Sequence, residues 1–299
     1  MRNIKPSSMT VEDSLENFGK KLNKVVNKDG IKQDNPVCNV FHSEKSNLQK
    51  YFAEYNANTQ PCKLEHIRSH YVDKGTRNAL YNMYNRQRSY MQNEWEIIAK
   101  KDGELQMCPI CGMKPVTDWD HYIPRSVMPE YSMHLQNLIP TCGDCNGNKS
   151  NDWLEDGRRI YFNAYYDKAP DLNEVLNVVV TINNDLPFVS ISLKETKDDT
   201  PDYIKIACST ISQLNIIKMY WQPKINEVVR KYVSHSISRV NVRRRMNKHI
   251  CITEVWNEEK EVLQDVVKNS TDTNFIERLV YHNIIVSDQI GRASCRERV

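Results

Sequence analysis

Two Cys-x-x-Cys pairs, Cys108-Pro-Ile-Cys111 and Cys142-Gly-Asp-Cys145, carry the clearest chemistry in this sequence. A Zn²⁺ ion takes four thiolates in a tetrahedron, and each short pair supplies two without strain. The 30 residues between Cys111 and Cys142 exceed the interval of a compact zinc ribbon, and a β-β unit inserted between two zinc knuckles accounts for them. A segment this small builds little hydrophobic core, so a structural Zn²⁺ would replace one and its removal should unfold the segment.

Inside and just beyond this staple lie Asp120-His121 and Asn146-Gly-Asn-Lys149. These offer a carboxylate, an imidazole and a carboxamide, the oxygen and nitrogen groups of a hydrolytic site built on a hard metal. Neighbouring side chains of a strand leave on opposite sides, so Asp120 and His121 at a strand end can flank one phosphodiester. Asp120 would ligate a divalent ion while His121, with an ordinary pKa of about 6.5, deprotonates a water. Asn146 would give the metal a second protein oxygen, and two protein ligands leave room for water and phosphate, as Mg²⁺ prefers. Lys149 and Arg125 are candidate phosphate contacts, with a structural or solvated cation as the competing reading. His134 is read as incidental. His42, His66, His70, His235, His249 and His282 lie outside the motif and receive no role.

The elements that must position these groups follow from hydrophobic spacing. Leu15, Phe18, Leu22 and Val25-Val26 predict a short amphipathic helix, and a second is expected over 43–56. A long helix is predicted from Thr76 to Lys100, where Leu80, Met83-Tyr84, Gln87, Met91, Trp95 and Ile98 recur, with Asp102-Gly103 ending it. Arg77, Arg86 and Arg88 fall largely off that stripe, on a solvated face or a DNA-facing edge. Residues 116–122 read as a strand, 124–136 as a loop with two prolines, 137–141 as a strand and 144–155 as a helix. That order is β-β-α. A hairpin is expected over 175–193 around Asn183-Asn184-Asp185. Helices are expected over 203–218, 224–242, 254–268 and 274–285. The basic run from Arg239 to His249 reads as a helix end or a phosphate-binding patch.

Composition sets the class. With 39% apolar and 26% charged residues in 299, the sequence is that of a globular protein. It has no signal-peptide pattern, and its longest apolar stretch, around Val175 to Ile182, is too short to span a bilayer. A cytoplasmic location without membrane association is expected. Nine cysteines in a reducing compartment point to metal binding or free thiols. Cys38, Cys62, Cys208 and Cys251 read as small buried hydrophobes. The last ten residues, 290–299, continue no periodicity and resemble a translated sequencing adapter, so a non-native tail is expected there. Without its three arginines and one glutamate the formal charge falls from +3 to +1, and any nucleic-acid affinity must come from local patches.

The whole run resembles the HNH endonucleases, in particular their zinc-ribbon subgroup with the ββα-metal fold. It comprises Cys108-x-x-Cys111, Asp120-His-Tyr-Ile-Pro-Arg-Ser126, Asn137-Leu-Ile-Pro140 and Cys142-x-x-Cys145-Asn146-x-x-Lys149. The resemblance implies that His121 is the general base and that Asp120 and Asn146 bind the catalytic metal. It also implies that Asn137 orients the histidine and braces the loop. Asn in the third position is a common variant of the literal H-N-H. Cleavage leaving 5′-phosphate and 3′-hydroxyl ends is implied too. The resemblance covers about 45 of the 299 residues, and proteins of this layout resemble bacterial or phage-defence nucleases.

The expected fold class is therefore α+β, a small zinc-stapled ββα-metal core flanked by mainly helical regions. Its boundaries are a helical region at 1–103, a nuclease domain at 104–168, a hairpin with helices at 169–289 and the tail at 290–299. The expected function is single-metal hydrolysis of DNA, in bacterial antiviral defence, with structural Zn²⁺ and catalytic Mg²⁺ or another divalent cation. Expected partners are double-stranded DNA and an ATPase or other defence-system protein. A non-catalytic zinc module that binds nucleic acid, or an RNA-directed nuclease using the same site, is the alternative.

Overall fold

The structure, a computed structural model, describes residues 1–21, 25–26, 29–30, 32–33, 36–71, 73–86, 88–183 and 186–231, with isolated positions beyond. The basic run 239–249, Cys251, the tail and, apart from those isolated positions, the helices expected over 254–268 and 274–285 lie outside the described residues. Two compact units divide the chain at 169/170. The mixture of helices and small sheets is that of an α+β protein.

In the first unit, α1 (Val11–Lys21) is followed by the two-residue strands β1 (Val25–Val26) and β2 (Lys32–Gln33), paired antiparallel. The expected helix thus ends before Val25, and the Asp29-Gly30 turn, with Gly30 at φ 77°, returns the chain. Helix α2 (Pro36–Ala57) runs seven residues further back than expected. Leu15 and Phe18 of α1 and Phe41, Leu48, Phe52 and Tyr55 of α2 are buried, with the Phe18 and Phe41 rings 4.7 Å apart.

The long helix expected over 76–100 is instead α3 (Lys74–Met83), a 3₁₀ turn over Tyr84–Arg86 and α4 (Arg88–Ile98). Asp73 caps α3 by accepting from Thr76 N. Near the break, side chains from elsewhere reach α3 carbonyls: Ser132 Oγ donates to Leu80 O at 2.6 Å and Arg125 Nη1 to Tyr81 O at 3.4 Å. A helix's last carbonyls lack intrahelical partners, so these bonds stabilise a stop that the periodicity does not reveal. Arg77, read as solvated or DNA-facing, is a strut: it donates to Ser69 Oγ, Tyr71 O, Ser126 O and Val127 O.

After the paired strands β3 (Lys100–Lys101) and β4 (Glu104–Leu105) comes the motif segment. Strand β5 (Asp118–His121) pairs antiparallel with β6 (Leu138–Thr141), Asp118 opposite Thr141 and His121 opposite Leu138. Helix α5 (Gly143–Asn148) completes the β-β-α unit. It is much shorter than the 144–155 expected: Lys149 is extended at its C-cap, and β7 (Leu154–Glu155) and β8 (Arg158–Arg159) form a hairpin in the remainder. Asp156 and Gly157, at φ 49° and 75°, give its turn the two positive φ values that an Asp-Gly type I′ turn requires. The first residues of the chain strap this segment: Arg2 N donates to Pro109 O, Ile4 N to Ala164 O, and Ser7 O accepts from Gln136 Nε2.

In the second unit, the one-turn helix α6 (Leu172–Val175) leads into the hairpin of β9 (Leu176–Asn183) and β10 (Leu186–Leu193). Asn184 and Asp185 of the expected turn lie outside the described residues. Helix α7 (Asp202–Gln213) ends five residues before the expected 218, and a π turn at Ile217–Trp221 precedes helical residues 222–231. Among the described residues no helix is long and apolar enough to cross a membrane.

Candidate active site

The four motif cysteines converge. Their sulfurs are buried and lie within 4.8 Å of one another, with Cys111 Sγ 3.8 Å from Cys142 Sγ. A tetrahedral ion with Zn–S bonds of about 2.3 Å has sulfur–sulfur edges of about 3.8 Å, so the cluster is compatible with zinc. Each pair forms a tight turn: Gly112 N donates to Cys108 O at 2.9 Å and Asn146 N to Cys142 O at 3.0 Å. Gly112 takes φ 68°, and Met113 N points at Cys111 Sγ from 3.5 Å. The second pair lies at the start of α5, so the staple ties this helix to the Cys108–Cys111 turn, while Lys149 at its end reaches Asp120 of β5.

That attachment builds a cleft of about 430 Å³, lined among others by Asp118, Asp120 and His121 from β5, Arg125 from the loop and Asn146 and Lys149 from α5 and its end. Tyr81 and Tyr84, from the end of α3, also line it. Asp118 and Asp120 alternate along one strand and so share a face. Gly143 packs closely beside them: a Cβ there would lie 2.9 Å from Asp118 Oδ2, so a larger residue would displace that carboxylate. Its N–H donates to Thr117 Oγ1 at 2.9 Å.

His121 Nε2 lies 3.0 Å from the carbonyl oxygen of Ser132. A carbonyl only accepts, so Nε2 carries the proton and Nδ1 keeps a lone pair. Burial of the ring, with the Arg125 guanidinium adding to it, pushes His121 down to about 3, and the imidazole is neutral near pH 7. The Tyr84 ring packs on it with centroids 4.6 Å apart at 71°.

Asn137 is completely buried. Its Oδ1 accepts from Ile123 N at 2.8 Å and Tyr55 Oη at 3.2 Å, and its Nδ2 donates to Ile123 O and Tyr131 O. The three backbone bonds brace the loop between β5 and β6, and the fourth ties it to Tyr55 of α2. The imidazole's own partner is Ser132, while the Asn137 amide is engaged by three backbone groups around it and by the Tyr55 hydroxyl.

Of the two readings of Lys149, the geometry matches the structural cation. Its ammonium is buried against Asp120, donating to both carboxylate oxygens at 2.9 Å and to the carbonyls of His121 and Tyr122 at 2.7 and 2.9 Å. Burial lowers its pKa and the Asp120 charge opposes that shift. In this geometry it holds Asp120 rather than facing a ligand. Arg125 lies with its guanidinium 4.2 Å from the Tyr81 ring centroid and 5.3 Å from that of Tyr84, while Nη1 reaches Asn85 Oδ1 at 3.1 Å. His134 is stacked 4.3 Å from Phe52 with Nε2 2.8 Å from Asn56 Oδ1, away from the cleft lining.

Behind the site, Arg159 bridges Asp167 through both terminal nitrogens, Glu65 through Nε, and Tyr122 Oη. Such a bidentate pair is stable when buried because its donors are all met. Of the residues not anticipated, Asp118 carries a signal, its alternation with Asp120. Tyr84 and Ser132 carry none that sequence spacing could show.

Residues 108–152 match the family model described as HNH endonuclease, so this segment is an HNH domain. The chain is also 35% identical over 65 residues to Protein ea31 of Escherichia phage lambda. That match covers 21% of this chain and 22% of the length of the phage protein. No solved structure matches.

Proposed function

We propose that this protein is an endonuclease that hydrolyses phosphodiester bonds of DNA, with His121 as general base and one divalent metal held by Asp120 and Asn146. The observation that carries the reading is the state of His121: its Nε2 proton is spent on the Ser132 carbonyl, so its Nδ1 lone pair is free to take a proton in the same cleft as Asp120 and Asn146. A purely structural zinc module needs none of these three groups.

The donor set fits a hard cation. A carboxylate has about four lone-pair sites, and Lys149 uses one on each oxygen of Asp120, leaving the others for a metal beside the Asn146 carboxamide. Such a cation would supply charge stabilisation at the phosphoryl and departing oxygens. The chain's own residues do the rest. His121 removes the proton from the attacking water, and the phosphodiester anion beside it favours the imidazolium and strengthens the base. Arg125 contacts a phosphate, its guanidinium pre-oriented by Tyr81 and Tyr84. Asn137 keeps the loop, and with it the Ser132 carbonyl, in place. A setting in phage defence rests on the resemblance of the layout alone.

The test is His121→Ala in purified full-length protein, assayed by plasmid nicking in Mg²⁺ with parallel DNA and RNA substrates. Loss of a general base should slow cleavage by about 10²–10⁴-fold. Nicking at the wild-type rate would sink the assignment, and cleavage confined to RNA would redirect the substrate.

A further inference from the structure

Helix α3 lies outside the 108–152 segment that matches the nuclease family, yet it reaches His121 by two routes. The first is direct: the Tyr84 ring, at the C-cap of α3, packs on the imidazole at 4.6 Å and 71°. The second passes through the loop, where Leu80 O accepts from Ser132 Oγ at 2.6 Å and Ser132 O accepts from His121 Nε2 at 3.0 Å. Leu80 is buried and Ser132 is 1% exposed, so this relay is shielded from competing water.

Both routes are needed for a geometric reason. Nε2 lies closer to the Cβ–Cγ axis than Nδ1 does, so one hydrogen bond there restrains rocking about χ2, a torsion with a broad minimum, only partly. Rocking swings Nδ1, the nitrogen with the lone pair. An aromatic ring packed nearly perpendicular to the imidazole blocks that motion. The break in the helix expected over 76–100 brings Tyr84 into position, since it turns the chain at Tyr84–Arg86 beside β5.

We propose that the C-terminal end of α3 is part of the active site, with Tyr84 and Ser132 as positioning residues that fix the orientation of the His121 imidazole. The activity arm of the test rests on the nuclease reading above. The spectroscopic arm does not.

The variants are Tyr84→Leu, Tyr84→Phe and Ser132→Ala in the full chain, zinc-loaded. Misplacing a catalytic group by about 1 Å costs about 10²-fold. Tyr84→Leu should therefore lower kcat by about 10–100-fold with KM for DNA nearly unchanged. Tyr84→Phe, which keeps the ring, should retain most activity, and Ser132→Ala should shift kcat in the same direction as Tyr84→Leu. In histidine-ring NMR spectra, the His121 signals should move in Tyr84→Leu and stay in Tyr84→Phe, while zinc content and Tm match the wild type. Unchanged kcat and unchanged His121 signals in Tyr84→Leu overturn the proposal. So does a loss in Tyr84→Leu that follows falling zinc content or Tm, because the effect is then structural. A Tyr84→Leu chain that does not fold leaves Ser132→Ala and Tyr84→Phe to decide by the same two readouts. If the wild type cleaves neither DNA nor RNA, the nuclease reading fails, and the NMR arm still decides whether Tyr84 positions the ring.

Discussion

Lys149 Nζ stands 2.9 Å from each carboxylate oxygen of Asp120, with the two side chains 6% and 14% exposed. An ammonium has three protons, and here four acceptors share them, including the carbonyls of His121 and Tyr122. Lysine at this position therefore welds the end of α5 to β5. Lys149→Met would leave a nearly buried carboxylate unpaired and should destabilise the fold by about 3–5 kcal/mol, read by urea unfolding. Lys149→Arg should fail to restore it, because a flat guanidinium does not fit a site built around a point charge. Unchanged stability with weakened DNA binding would instead make Lys149 a phosphate contact.

The two metals should separate by chemistry. Cys142→Ser, or stripping with a strong thiophilic chelator, should remove one zinc per chain and abolish the cooperative melting of the first unit, since the binding energy of a structural zinc is folding energy. Withholding Mg²⁺ from zinc-loaded protein should stop cleavage while leaving Tm where it was. Elemental analysis with parallel melting curves reads both. Loss of folding on Mg²⁺ withdrawal would refute the division.

Asp118 shares a strand face and a cleft with Asp120 and lies against the backbone of Gly143. Its negative charge should raise the local cation concentration without touching zinc. Asp118→Asn should therefore increase the Mg²⁺ concentration needed for half-maximal cleavage several-fold, leaving the saturated rate nearly unchanged. Mg²⁺ titrations of nicking would reveal this, and an identical Mg²⁺ dependence would exclude it.

Acid sensitivity should come in part from buried neutral histidines. Burial pushes His134 down to about 3, below its value of about 6.5 in the unfolded chain. Above about pH 6.5 neither state is protonated, and between about 6.5 and 3 only the unfolded chain binds the proton. Stability from this group is therefore present above about pH 6.5 and is lost as pH falls towards 3, at up to about 1.4 kcal/mol per unit. His134→Gln should lose about 2 kcal/mol less than the wild type between pH 7 and 5, measured by urea titration at each pH. Zinc thiolates also titrate with acid, but equally in both proteins, so the difference isolates His134. Equal losses would show that His134 is not the source.

The sequence by itself determined the chemistry held within short spans. Cys-x-x-Cys spacing follows from the reach of one tight turn, so the sulfur cluster was legible, as was the β-β-α order around Asp120 and His121. Long-range geometry was not. Whether Lys149 faces solvent or Asp120 depends on where α5 stops, and only the folded chain shows it ending at Asn148 with Lys149 extended. The break at Tyr84 interrupts no hydrophobic period, and the bonds that stabilise it come from loop side chains 44 and 52 residues further along. Asn137 stood out in the sequence as the middle asparagine of the motif, whereas Ser132, in the loop before it, carries no signal. Only the folded loop decided that Ser132, and not Asn137, offers the partner of the His121 ring, since that choice is set by which groups are brought within hydrogen-bond reach.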